Sequence, residues 1–472
     1  MLNNALIERY RYSLLRPRQL WVFLAVYLIV TVLILFINAS IYKYNRAFDD
    51  WTEFFHSLFY QFLIFQVIIL WIWGGSNTGA ALKEELLQKS YDFFRMLPLS
   101  AVDKAVGILV GRNLVVLLLA AANLVFIVPF GVLGRVNGVL QSQLFIALIT
   151  VGLTLNVGAL MVSTHAPAKR ARSGGVAGVL FVSFFAVPAL MNVLMVTSST
   201  KSLETRCVGF FAADVPVLLL VSFFALYYAA WMFKGVTRVL SRENEPLFSR
   251  GGGAGFMLGH IVLMLGLAWP HFTPRDFPGP IYGFWLAGLF PLFFIPLGSV
   301  KTFEKYFEES GATAGPRPQG AGAFLLRSNL SYWLALGGLW AASSLIVGLA
   351  TGLVPLLSLY EVVVILSFCL VFFFLLELSI LYMPVYNKIG VLIAVFTVIV
   401  IVLPLWLSGI FGKSNLHMFC LPGFAWELLQ DETSPRLPIF HLVLAYNLAL
   451  SLVPLWLVLR RYQFIVTARR GM

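Results

Sequence analysis

Apolar residues run along this chain in stretches of about twenty, and polar residues collect in the short gaps between them. A helix rises ~1.5 Å per residue, so about twenty residues cross a hydrocarbon layer ~30 Å thick. By that length the pattern predicts twelve spanning helices, near 20–38, 54–73, 105–130, 142–163, 175–197, 214–233, 254–270, 281–300, 331–351, 357–382, 389–409 and 438–458. Turn-forming clusters such as Ser173-Gly174-Gly175, Gly251-Gly252-Gly253 and Pro278-Gly279-Pro280 mark the gaps. The fold class expected is all-α, a polytopic helical bundle in a membrane.

One gap departs from plain punctuation. Between Gly74 and Lys104 the pattern turns two-faced. Leu82, Leu86, Phe93 and Leu97 recur at helical intervals on one side, while Lys83, Glu84, Gln88, Asp92 and Arg95 fall mainly on the other. Pro98 is expected to stop this helix, because its ring clashes with the preceding turn and it lacks an amide donor. Ser100, three residues before Asp103, is placed to cap the next helix. Two roles fit these residues equally: sealing a loop against lipid, or docking a soluble partner.

Charge then sets the orientation. With the amino terminus inside, the inner segments 1–19, 74–104, 164–174, 234–253, 301–330, 383–388 and 459–472 hold 24 of the 33 Lys and Arg. The outer segments hold eight and Arg112 lies inside the third span. A wrong span count would scramble that alternation, so both termini are expected in the cytoplasm. The run Leu20–Ile37 follows four arginines and resembles a signal peptide, but its length of about 18 exceeds an ordinary signal core, and it reads as a retained first span.

Composition excludes an ordinary soluble domain. Charged residues make up 11% and mean hydropathy is +0.88, against about 25% charged in globular proteins. The net charge of +12 follows membrane topology, and no nucleic-acid partner is inferred from it. Cys207, Cys369 and Cys420 form no metal-binding spacing. Cys207 and Cys420 both fall in outer loops, which leaves one bridge open.

Little catalytic chemistry emerges. Gly409-Ile410-Phe411-Gly412-Lys413-Ser414 ends like a phosphate loop, but Leu407 stands where the motif needs glycine. His417 and Cys420 are an isolated pair, better read as a wetted loop than a zinc site. No catalytic, cofactor-binding or metal-binding residue is assigned. Polar groups inside the spans carry more weight, since they are costly there. Asn123, Asn156, Asn192 and Glu377 are candidates for a translocation path, with interhelical hydrogen bonding the default role of the asparagines. Glu361 and Glu377 lie about a turn from the ends of their span, where both can snorkel. Arg112, two turns into its span, could pair with Asp103 or a lipid phosphate. Gly107 and Gly111 have the spacing that lets helices approach closely.

Glycines, a helix with Lys83-Glu84-Glu85, then Phe94-Arg95-Met96-Leu97-Pro98-Leu99-Ser100, Asp103-Lys104 and Gly107 resemble the first cytoplasmic loop of ABC-2-type exporter permeases. The stretch Ala5–Trp21, rich in arginine and aromatics, resembles the interfacial elbow helix before their first span. The resemblance covers roughly residues 1–240. It implies a coupling helix seated in a cytoplasmic ABC ATPase, a separate subunit that binds ATP and Mg, so that this chain carries no cofactor and is not itself an enzyme. It implies a bacterial inner-membrane location and leaves a second permease chain open. On physical grounds Leu82, Leu86, Phe93, Phe94 and Leu97 would supply apolar contact, to the partner or to headgroups. Glu84, Glu85, Asp92 and Arg95 would set register by charge.

Four regions follow: a six-helix core over 1–240, two further spans over 241–310, a linker over 311–330 and four carboxy-terminal spans over 331–472. The linker composition of Gly311–Gly322 places the organisational boundary there. Two rival functions remain. A secondary transporter could use helices broken at Pro188, Pro291 or Pro296. A membrane-embedded transferase would rest on Glu427, Asp431 and Glu432 in the widest outer loop.

Overall fold

The computed structural model describes residues 4–45, 50–87, 98–164, 207–211, 213–241, 248–268, 292, 328–350, 356–382 and 437–470. These residues are mostly helical, and the chain divides into two compact units. The first takes in Met1–Val208 and Asp214–Leu247, the second Gly209–Ala213 and Phe248–Met472.

In the first unit α1 spans Ala5–Leu14 and α2 spans Pro17–Asn45. Asn4 caps α1 by accepting from the Leu6 amide at 2.9 Å, and Pro17 begins α2 where no amide donor is needed. Asp50 caps α3, Trp51–Val67, which passes through a π-helical turn, Ile68–Trp73, into α4, Gly74–Leu87. Then come α5 (Ala101–Gly111), α6 (Leu114–Leu133), α7 (Gly138–Thr164) and α8 (Val217–Ser241). The main core joins α3 to α6 and α7 through Phe59, Phe62, Leu63, Ile127, Leu140 and Leu155. Phe62 stacks on Phe126 at 5.5 Å between ring centres. Lipid is as apolar as these side chains, so close packing and hydrogen bonds hold the helices together, more than removal from water.

In the second unit α9 (Arg250–Ala268), α10 (Asn329–Ala350), α11 (Leu356–Tyr382) and α12 (Leu437–Arg470) pack in the chain α9–α10–α11–α12. Trp333, Trp340, Phe368 and Phe373 are fully buried there. Asn447 Nδ2 donates to Ser367 Oγ at 3.0 Å, tying α12 to α11.

Among the described residues six helices are long and apolar enough to cross a membrane: Pro17–Tyr42, Trp51–Leu82, Leu114–Leu133, Gly138–Met161, Val217–Ser241 and His441–Arg461. The chain is a multi-pass membrane protein. Along α2, Trp21, Val26, Ile29, Val32 and Phe36 are all exposed, an apolar surface that suits acyl chains and not water. Helices also occupy the predicted spans 254–270, 331–351 and 357–382. The predicted spans 175–197 and 389–409 lie outside the described residues, as do all of 281–300 but residue 292 and all of the linker 311–330 but its last three residues.

Four boundaries differ from the sequence reading. Gly74-Gly75 does not open a loop: the helix begun at Trp51 continues through it to Leu87 and packs on α7, where Asn156 lies against Gly74. The single span expected over 105–130 is two helices, broken at Arg112-Asn113. A two-stranded hairpin, Cys207–Phe210 with Ala213–Pro216, precedes α8 where an outer loop was expected. The last helix runs on to Arg470, past the span end expected at 458.

Candidate functional site

The site grows from the packing of α1 on α5. Leu6 and Tyr10 are one helical turn apart and form the buried face of α1. They rest on Gly107 and Gly111, also one turn apart, so the small-residue spacing does permit a close helix contact. A methyl added at Gly107 would stand 2.8 Å from Leu6 Cβ, and one at Gly111 would strike the Tyr10 ring. Asn4 Nδ2 donates to Asp103 O at 2.6 Å, and Ser100 caps α5 by accepting from the Asp103 amide at 3.1 Å.

That contact brings α1 to the charged end of α4. Tyr10 Oη donates to Glu85 Oε1 at 3.1 Å, and Arg9 Nη2 donates to Glu85 Oε2 at 3.0 Å. The Glu85 side chain is only 6% exposed, so its charge depends on these partners. Arg112, at the break between α5 and α6, pairs with Glu84 Oε2. Its guanidinium carbon also lies 5.5 Å from the centre of the Tyr10 ring, within cation–π range. Burial raises the Tyr10 phenol well above its ordinary value, and the Glu85 carboxylate raises it further, against an opposing pull from Arg112 and Arg9. Tyr10 therefore keeps its proton and stays a donor. Arg112 pairs with Glu84 and not with Asp103, one of the two partners the sequence had left open: Asp103 is taken up by Ser100, whose hydroxyl reaches its carboxylate at 2.6 Å.

One to two turns toward the amino end of α4 lies a buried polar node. Thr78 Oγ1 donates to Gly74 O at 2.9 Å and lies 3.0 Å from Asn156 Oδ1 on α7. Asn113 Nδ2 lies 2.8 Å from Thr78 Oγ1 and 3.1 Å from Asn156 Oδ1. Asn113 Oδ1 is buried without a hydrogen-bond partner. The node joins α4, α7 and the α5–α6 break.

The predicted docking residues divide. Leu82 is buried, and Glu84 and Glu85 are paired within the chain. Leu86 is in α4, and nothing is described of its side chain. Asp92, Phe93, Phe94, Arg95 and Leu97 lie outside the described residues, and so does Pro98's effect on the helix before it.

The predicted path residues are also separated. Asn123 is fully buried and cross-links three helices, donating to Phe62 O at 3.0 Å and to Gln66 Oε1 at 2.7 Å while accepting from Tyr27 Oη at 3.2 Å. Asn156 belongs to the polar node. Asn192, Glu361's side chain and Cys420 lie outside the described residues, and Cys207 is an exposed free thiol. Glu377 is fully buried in α11, with Asn329 Nδ2 at 3.5 Å from Oε2.

Sequence reasoning did not assign roles to Tyr10, Arg9, Thr78 or Asn113. The signal for Tyr10 was present: a large and an apolar residue one turn apart in α1, facing small residues one turn apart in α5. Nothing local marks Thr78 or Asn113, whose partners come from helices 35 and 43 residues away in sequence. No protein-family model matches the chain, and no characterised protein or solved structure matches it.

Proposed function

We propose that this chain is the membrane-spanning permease subunit of an ATP-driven ABC-2-type exporter, moving its substrate outward with a separate ATP-binding subunit. In this reading it has twelve spans, both termini lie in the cytoplasm, and the membrane is the bacterial inner membrane. The observation that carries the reading is the joint between α1, α4 and α5. A segment that receives motion from a soluble motor must be stiffly tied to the spans it moves. Glu84 and Glu85 tie the charged end of α4 to Arg112 and to Arg9 and Tyr10, and its helix continues without a loop into α3. Residues 88–97 would then bear the contact to the motor, with Asp92 and Arg95 setting register and Phe93, Phe94 and Leu97 supplying apolar area.

Co-purification from the native membrane tests this first: an ABC ATPase is expected with the full chain. Arg95→Glu is expected to leave insertion intact and to uncouple ATP hydrolysis from transport. Normal coupling in that variant would remove 88–97 as the docking segment. Glu84 reversal is read only beside Arg112→Glu, because Glu84 also has an internal partner.

A secondary transporter is the second reading, favoured by one observation: Glu377 is a fully buried carboxyl in an apolar helix, a costly placement that commonly marks a substrate or ion pathway. Transport that persists without ATP and collapses with the proton gradient would favour it.

A further inference from the structure

The π-helical turn between α3 and α4 is held from outside by a stripe on α7. In that turn the Gly74 amide is shared between Ile69 O, five residues back, and Trp71 O, three back, and so abandons Leu70 O, its partner in an α-helix. Asn156 Nδ2 takes up Leu70 O at 3.2 Å while also donating to Gly152 O at 2.7 Å. One turn along α7, Gly152 leaves room for Trp71, whose Cδ1 would stand 3.1 Å from an added methyl. A further turn along, Leu148 O accepts from Trp71 Nε1 at 2.9 Å. Leu148, Gly152 and Asn156 thus read the turn in three successive places.

A π-turn stores one extra residue in the helix. Were it to relax to α geometry, every later residue would rotate by about 100° and each site would receive the residue before the present one. Glu84 would move to the place of Glu85, facing Arg9 and Tyr10. Lys83 would move to the place of Glu84, facing Arg112. The first exchange keeps a carboxylate; the second sets two cations against each other.

The geometry points to Asn156 as a positioning residue that fixes the rotational register of α4, and through it the pairing of Glu84 and Glu85 with Arg112 and Arg9. It acts through the Leu70 carbonyl and touches none of those charged groups. The inference goes beyond the transport reading, and its test needs no ATPase.

The test uses the full chain with its three native cysteines replaced and with Arg9→Cys and Glu85→Cys, joined by a short bifunctional thiol reagent in native membranes. Efficient crosslinking is expected in this parent. Asn156→Leu, of similar volume, is expected to lower it about threefold or more, the scale of one interhelical hydrogen bond in a membrane. Deleting Ile68, the exposed residue of the π-turn, removes the stored residue, so the deletion combined with Asn156→Leu is expected to restore crosslinking. Simple loss of the polar node would not be repaired by that deletion. Unchanged crosslinking in Asn156→Leu overturns the proposal, as does failure of the deletion to restore it. Should Asn156→Leu not accumulate, the combined variant decides alone: recovery of accumulation and crosslinking supports the proposal, and absence of either overturns it.

Discussion

At Gly111 a single hydrogen atom decides whether α1 can seat. Gly111→Ala places a methyl against the Tyr10 ring, and overpacking of this kind costs about 1–3 kcal/mol. The expected outcome is release of α1, read as faster proteolysis near Arg9 and Arg11 with the other helices unaffected. Tyr10→Phe keeps the shape but deletes a hydrogen bond to a carboxylate, a loss of about 1.5–3 kcal/mol. The pH dependence has a definite sign. The folded phenol titrates above its unfolded value of about 10, so its contribution is whole below that pH and is lost as pH climbs from there toward the folded value. Thermal unfolding of the two proteins should therefore differ most at about pH 8, and the gap should narrow steadily as pH rises past about 10. A gap that widens in alkali would contradict the assignment. The sequence carried half of this detail: the glycine spacing announced a close contact, but which helix would fill it depended on α1 folding back across ~100 residues of chain.

Among elements, the pairing of α4 with α5 and α6 yields a double-mutant prediction. Glu84→Arg alone and Arg112→Glu alone each place like charges together, whereas the double exchange restores an opposite pair. Both single variants should lose stability and the exchange should recover most of it, measured by thermal unfolding in detergent. Equal losses in all three would show the pair to be incidental. The pattern of apolar positions located nearly every described helix but misjudged where α4 begins and where the third span is whole. The apolar run ends at Trp73, which put Gly74 and Gly75 in the gap that follows it. In the folded chain both sit inside a continuous helix, and Gly74 admits Asn156, since an added methyl there would stand 3.1 Å from Asn156 Oδ1. The third span breaks at Arg112-Asn113 with no proline there, and Gly111 just before it carried only the signal of a close helix contact.

For the whole molecule, the charge distribution predicts which face each gap occupies. Cys207, an exposed free thiol beside the hairpin, falls on the outer side in that assignment. A membrane-impermeant maleimide should label it in intact cells and should fail to label cysteine introduced at Ser100, which falls on the inner side. Labelling at Ser100 from outside would reverse the topology and remove the proposed docking segment from the cytoplasm. The division between the two compact units falls near residue 247, close to the boundary at 240 between the first two proposed regions, and the linker Gly311–Gly322 lies outside the described residues.

The sequence by itself determined that this is a helical, multi-pass membrane protein, because span length and apolar content answer to the thickness of lipid, a constraint outside the fold. It also determined the cap at Ser100 and the close contact at Gly107 and Gly111, both local consequences of residue size and hydrogen bonding. Only the tertiary structure decided that Glu84 and Glu85 are held by Arg112, Arg9 and Tyr10, that Arg112 ignores Asp103, and that a π-turn interrupts the second span. Those outcomes depend on polar groups that must find partners inside an apolar medium, and the partners come from helices distant in the chain.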